Sequence, residues 1–192
     1  MRAIHRLRSA VLAAGIGLAA VAPATANSIF LQIPGVTGPV TTFGFQGDIE
    51  LSAYSQGFTD PATSVTGGGG GRGGNRTSCG AISITKRVDS TSPDFLQYVT
   101  RGELIHHATV YFVGTLGATK AANAEYTVLL TNVRVTSITQ GDTVSNTSGL
   151  GITENISMIA EKFQFTYRTV NADGGTGTVD TYGWDCATNR PL

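Results

Sequence analysis

The sequence predicts a mainly β protein: a small closed or split β-barrel with one short α-helix packed on its side. Three observations carry this prediction. Short apolar runs with strand-like alternation, bounded by Gly and Pro, recur along most of the chain. One segment, residues 92–101, carries helix signals at both ends. Several strand runs place apolar residues on both faces, which suits a barrel or a surface covered by neighbours better than an open sandwich with one wet face. No internal repeat is present.

Residues 1–26 stand apart as a cleavable secretion signal. Arg2, His5, Arg6 and Arg8 form a positive start, and residues 10–22 are an uncharged apolar run. Ala24-Thr25-Ala26 then supplies a small-x-small cleavage site, with Ala24 and Ala26 as its two small residues. The apolar run is 13 residues long, shorter than the ~20 that a membrane-spanning helix needs. Cleavage places the mature start near Asn27, and no later stretch is apolar enough to span a bilayer. Residues 27–192 suit one domain with its own core.

The leader holds three of the 13 basic residues and none of the 13 acidic ones. The mature chain therefore has 10 basic and 13 acidic residues, a net charge of −3. A nucleic-acid surface needs a basic excess, so that partner is excluded, as is a membrane after signal removal. Only 14% of the chain is charged; such a surface fits an exported β protein or a subunit that covers itself in an assembly. Cys79 and Cys186 form a possible disulfide, since oxidation is favoured outside the cytoplasm. Spacing alone does not give their distance, and two free thiols are the alternative.

Residues 28–33 read as a first strand, stopped by Pro34-Gly35. Residues 34–47 follow as a loop. Residues 48–54 alternate as a second strand, with Ile49 and Leu51 expected on opposite faces. Residues 67–74 are glycine except Arg72, a loop with too little apolar surface to order itself. Residues 80–88 resume strand character, with Ile82, Ile84 and Lys86 on one face.

The helix is expected to start at Ser92 as N-cap, with Pro93 in its first position and Asp94 near its positive end. Phe95, Leu96 and Val99 form its apolar face, and Gly102 offers a left-handed stop. Strands are expected at residues 104–113, 125–138, 152–170 and 178–184. In the third of these the apolar parity changes, from Ile156 and Met158 to Phe163, Phe165 and Tyr167. A period-2 strand needs an irregularity to do that, so a bulge is predicted at residues 160–162. Asp173-Gly174-Gly175 reads as a turn.

Signals for catalysis are thin. His106 and His107 are adjacent on a strand, point to opposite faces and have no Cys or Glu at metal-ligand spacing. There is no Gly-x-Ser-x-Gly elbow. The glycine tract lacks the Gly-Lys-Ser/Thr ending of a phosphate loop. No catalytic residue, cofactor or metal is expected.

Five segments in order resemble the haemolysin-coregulated protein (Hcp) family, the tube subunits of type VI secretion systems. They are Ile29-Phe-Leu-Gln-Ile-Pro-Gly35; Ile82-Ser-Ile-Thr-Lys-Arg-Val-Asp89 with Ser92-Pro93; Leu130-Thr-Asn-Val133 with Val135-Thr-Ser137; Glu154-Asn-Ile-Ser157 with Phe163-Gln-Phe-Thr-Tyr167; and Gly183-Trp184-Asp185 with Asn189. The resemblance implies a small β-barrel with a lateral helix and a non-enzymatic subunit. It implies homohexameric rings that stack into a tube propelled by a contractile sheath. Effectors in the lumen and spike or sheath components are the partners it implies. The leader, the glycine tract and the cysteine pair depart from the family pattern. They favour an exported Hcp-like binding or adhesive module outside any contractile machine; an exported β-barrel hydrolase stands as a third hypothesis.

Overall fold

The structure is a computed structural model that describes residues 27–60, 76–114, 124–142, 151–171 and 175–192. Expectations for residues 1–26, including Ala24 and Ala26, for the glycine tract 67–74 and for most of the turn at 173–175 fall outside the described residues. In chain order the elements are β1 (Ser28–Gln32), β2 (Ile49–Leu51), β3 (Ala53–Ser55), β4 (Phe58–Thr59), β5 (Ser78–Cys79), β6 (Ile82–Arg87), α1 (Ser92–Arg101), β7 (Leu104–Val113), β8 (Ala124–Asp142), β9 (Ile152–Val170), β10 (Thr176–Asp185) and β11 (Arg190–Pro191). Among the described residues no helix is long and apolar enough to cross a membrane.

One antiparallel sheet dominates, in the order β11-β10-β9-β8-β7-β1-β2, with β3 pairing β6 and β6 pairing β9. β2 and β3 are one strand run interrupted at Ser52, whose amide still donates to the Thr85 carbonyl. The walls thus run β1, β2/β3, β6, β9, β8, β7 and back to β1, a barrel split at Ser52. The 19-residue β9 sets the shape: β8 lies along one edge, while the other edge is shared by β6 (at Thr153–Met158) and β10 (at Lys162–Val170). A seam therefore opens between β6 and β10.

Ile49 and Leu51 are both buried, with Glu50 exposed between them. The expectation of opposite faces is corrected: residues two apart on a strand share a face. Ile82, Ile84 and Lys86 are all inward and fully buried. The helix spans the expected residues, Ser92–Arg101, but its N-cap is not Ser92. Thr91 is its N-cap and Ser92 its first residue, because the Ser92 hydroxyl is engaged elsewhere, on Glu154. Gly102 ends it at φ 66°, the left-handed stop. Phe95 is fully buried, but Leu96 is 55% exposed and does not join the apolar face. The loop after β1 also contributes to the core. Phe45 is fully buried and stacks on Phe30 with ring centroids 4.5 Å apart. Gly38 lies so close to the Asp48 carbonyl that no side chain fits between them.

The parity change in β9 is present, but not as a bulge at residues 160–162. Thr131 faces Lys162 and Val133 faces Ala160, so one register continues through that level; the register shift with β8 lies at Val135/Ser137. At the expected level a pair is skipped instead. Asn132 takes a left-handed φ of 53° and its side chain donates to Glu161 Oε2 at 2.6 Å. The neighbouring ladder skips His106, between Ile105↔Val133 and His107↔Thr131. Inward parity reverses in all three strands at this level: Ile105 to Ala108 and Val110; Leu130 to Val133; Met158 to Phe163. A crease thus crosses β7, β8 and β9 together. Asn is among the few residues that tolerate the left-handed region.

Candidate functional site

His106 and His107 both lie exposed on β7, at the crease. Skipping the His106 pair removes the alternation that puts neighbours on opposite faces. Among the described residues no group of His, Cys, Asp or Glu is placed to hold a metal.

The buried polar groups form a structural network. Lys86, fully buried, pairs with Glu154 at 2.7 Å and Asp89 at 2.8 Å. Ser92 donates to Glu154 Oε1 at 2.8 Å, and Gln140 donates to Oε2 at 3.1 Å. Asp89 accepts from the Thr91 amide and hydroxyl. Burial by itself would raise the Asp89 carboxyl; the hydrogen bonds from Lys86 and Thr91 and the Lys86 charge outweigh it and hold it below the ordinary carboxylate range. The network locks β6, the helix start and β9 together. Lys86, Asp89, Ser92 and Glu154 all occur in the segments that carry the family resemblance, and folding accounts for them.

Cys79 and Cys186 meet across the seam and are disulfide-bonded, with Cα atoms 6.2 Å apart and 107 residues between them in sequence. Cys79 ends the short β4–β5 ribbon, where Phe58 pairs with it. Cys186 follows β10 directly, and its amide donates to the Glu161 carbonyl at 2.8 Å. Arg76 reinforces the same end by donating to the carbonyls of Cys186 and Ala187. Asp185 accepts from the amides of Ala187 and Thr188 and pairs with Lys162 at 3.4 Å. The Thr188 amide first, with Lys162 adding to it, holds the Asp185 carboxyl below its usual range.

The ribbon, missed in the sequence because each strand has only two residues, lays Phe58 across the sheet. Its ring meets Phe163 and Phe165 edge-on at 5.1 and 5.8 Å. Beside it lies a cavity of about 550 Å³ bounded by Tyr54, Gln56, Gly57, Phe58 and Thr77 on one side and by β8, β9 and β10 on the other.

The outer surface carries large apolar side chains on several elements. Phe43 in the loop after β1 is 66% exposed, and Tyr167 and Val179 on β9 and β10 are about half exposed. Leu104 and Ile159 are exposed beside the crease, at registers that share the partner Arg134.

The protein-family model for "Type VI secretion system effector, Hcp" matches residues 30–173. No protein with a curated description matches the chain. A solved "type six secretion system protein" superposes with a TM-score of 0.75 at 19% identity, covering 87% of this chain and 100% of the other. Hcp1 from Salmonella typhimurium gives 0.66 at 20% identity, covering 87% and 99%. A type VI secretion system effector from Yersinia pestis gives 0.62 at 17% identity, covering 82% and 98%. These structures share the fold: a split β-barrel with one lateral helix. With the family model spanning most of its length, the chain belongs to the Hcp family of type VI secretion system effectors.

Proposed function

We propose that the mature chain is a non-enzymatic structural subunit that forms homohexameric rings stacking into a tube. The observation that carries this reading is the exposure of large apolar side chains on separate elements: Phe43 at a loop tip, Leu96 on the helix, Tyr167 and Val179 on the sheet. A ring needs two different surfaces on each subunit, joined head to tail, and stacking needs a further one. Isolated apolar residues are ordinary, but several on distinct sides of a sparsely charged subunit suit burial by neighbours. The loop of residues 34–47, with Phe43 outward and Phe45 anchored inward, is the segment proposed to reach an adjacent subunit or ring. Effector proteins in the lumen and spike or sheath components are the proposed partners, as in type VI secretion.

Two features support a location outside the cytoplasm. Residues 1–26 have the order of parts of a secretion signal, with cleavage after Ala26. The Cys79–Cys186 bond belongs to an oxidising compartment. They also support the second reading, an exported binding or adhesive module that works without a contractile machine. A cytoplasmic sheath has no access to a tube that assembles after export.

Two measurements test these readings. Light scattering and negative-stain imaging of the oxidised mature protein should give six-membered rings, with stacks at higher concentration. A monomer at every concentration removes the ring and leaves the exported module. Fractionation followed by N-terminal sequencing should find a chain starting at Asn27 outside the cytoplasm; an intact Met1 in cytoplasmic rings returns the chain to ordinary tube assembly.

A further inference from the structure

We propose that the Cys79–Cys186 bond is a redox latch on a strap. The β4–β5 ribbon lies closed against β9 and β10 while the bond is formed, and swings off that wall when the bond is reduced, with the barrel still folded. The device lies within one chain and does not rest on ring formation. β4 and β5 make a two-stranded sheet of their own, with two residues in each strand. An isolated two-stranded hairpin is marginal in water even when longer, so this one is held by what it leans on. Among the described residues no backbone hydrogen bond joins it to β9 or β10. The disulfide, the Phe58 ring against Phe163 and Phe165, and the Arg76 guanidinium on the Cys186 and Ala187 carbonyls are what hold it. Arg76 is exposed and Phe58 is partly so. Both contacts compete with water, and the covalent bond does not.

The base of the ribbon is built to turn. Gly57 precedes β4 and Gly80 follows β5, and the Gly80 amide donates to the Gly57 carbonyl at 2.8 Å. A Cβ on Gly80 would press on that carbonyl, while a Cβ on Gly57 would meet open space. Two glycines facing each other give the ribbon a permissive pivot. Cys79 adjoins this pivot, so the bond fixes the ribbon where it turns. Both cysteines are half-buried rather than enclosed, within reach of a reductant. The reductant is a dithiol. Its thiolate attacks the Cys79 sulfur, the S–S bond breaks, and Cys186 leaves as a thiolate beside the positive Arg76 and takes up a proton. The second thiol of the reductant then displaces Cys79, which also takes up a proton. Two electrons pass to the protein, and the dithiol ends as a disulfide. An oxidising compartment closes the latch and a reducing one opens it.

Hydrogen exchange of the mature protein, read by mass spectrometry before and after reduction with dithiothreitol, tests the latch. Reduction should speed exchange in the ribbon, residues 57–59 and 78–80, at least about tenfold. The β6–β9 ladder, from Ile82↔Met158 to Arg87↔Thr153, should still be protected when the ribbon has exchanged. Trp184 is the single tryptophan of the chain and borders the same cavity as Phe58. Its quenching by acrylamide should rise on reduction. Reoxidation should reverse both changes, and the Cys79→Ala/Cys186→Ala variant should match the reduced protein. Unchanged ribbon exchange and unchanged quenching after complete reduction overturn the proposal, because Phe58 and Arg76 then suffice to hold the strap. Simultaneous exchange of ribbon and ladder in the reduced protein also overturns it, because the bond then holds the whole fold. So does a ribbon that stays open after the bond has re-formed.

Discussion

Opening the Cys79–Cys186 bond tests how the seam beside the barrel is held shut. The seam between β6 and β10 has no ladder hydrogen bonds across it, because each of those strands pairs with a different half of β9. The cross-link spans 107 residues of sequence. Closing a loop of that length in the unfolded chain costs about 4.8 kcal/mol of conformational entropy at 25 °C in the chain-entropy treatment. Removing the bond returns that entropy to the unfolded state and destabilises the fold by the same amount. For a domain of this size, 1 kcal/mol shifts the melting temperature by roughly 2–4 °C, so the expected loss is roughly 10–20 °C. Scanning calorimetry of the oxidised protein, the reduced protein and the Cys79→Ala/Cys186→Ala double variant measures it. The urea m-value should rise in the double variant, since an unlinked chain exposes more surface on unfolding. A drop below about 3 °C in the double variant would refute the reasoning: the seam would then be held by the Phe58 contacts and the Arg76 hydrogen bonds, with the unfolded chain already compact.

The buried ion network gives a second expectation. Lys86→Met leaves Glu154 buried with only Ser92 and Gln140 as partners, and should cost about 3–5 kcal/mol in urea unfolding; adding Glu154→Met should recover part of that loss, and a double variant worse than the single would sink this account. Asp89 supplies a pH dependence. Its folded carboxyl sits below the ordinary value, so it contributes stability above the unfolded value near 4 and loses it as pH falls through the lower folded value. Stability should therefore decline from about pH 4 downward, and Asp89→Asn should be less stable than wild type at pH 6 with a shallower acid decline. Equal acid slopes in the two proteins would remove Asp89 as a source.

Most elements were legible because they obey local rules. The run from Ile82 to Lys86 alternates cleanly, and its inward face is what the structure buries. The helix was legible from Ser92-Pro93 and Gly102, but its cap was misplaced by one residue because the Ser92 hydroxyl serves a partner 62 residues away. Leu96 was misassigned too. Phe95 and Val99, four residues apart, share the face packed on the core, whereas Leu96, next to Phe95, is turned about 100° away and stays exposed. The parity switch in β9 was visible in β9 alone. Its cause sits in β8, where Asn132 reverses its φ, and no pattern along one strand shows that the irregularity is shared by three.

The cavity lay beyond sequence reading for a geometric reason. Its lining comes from β3, the segment leading into β4, the approach to β5, and β8, β9 and β10, so no spacing links its rings. The cysteines sit between these cases. Their number was readable, but their distance followed from a topology in which β9 exchanges β6 for β10 halfway along. That exchange creates the seam, and the disulfide and Phe58 cross it at one end. If residues 1–26 direct export, the compartment that forms the bond is also the one in which the seam is meant to stay shut. The same chain retained in a reducing cytoplasm would fold on β9 alone with its seam unlinked, less stable by the entropy of a 107-residue loop and with the wall bearing Phe58 free to move.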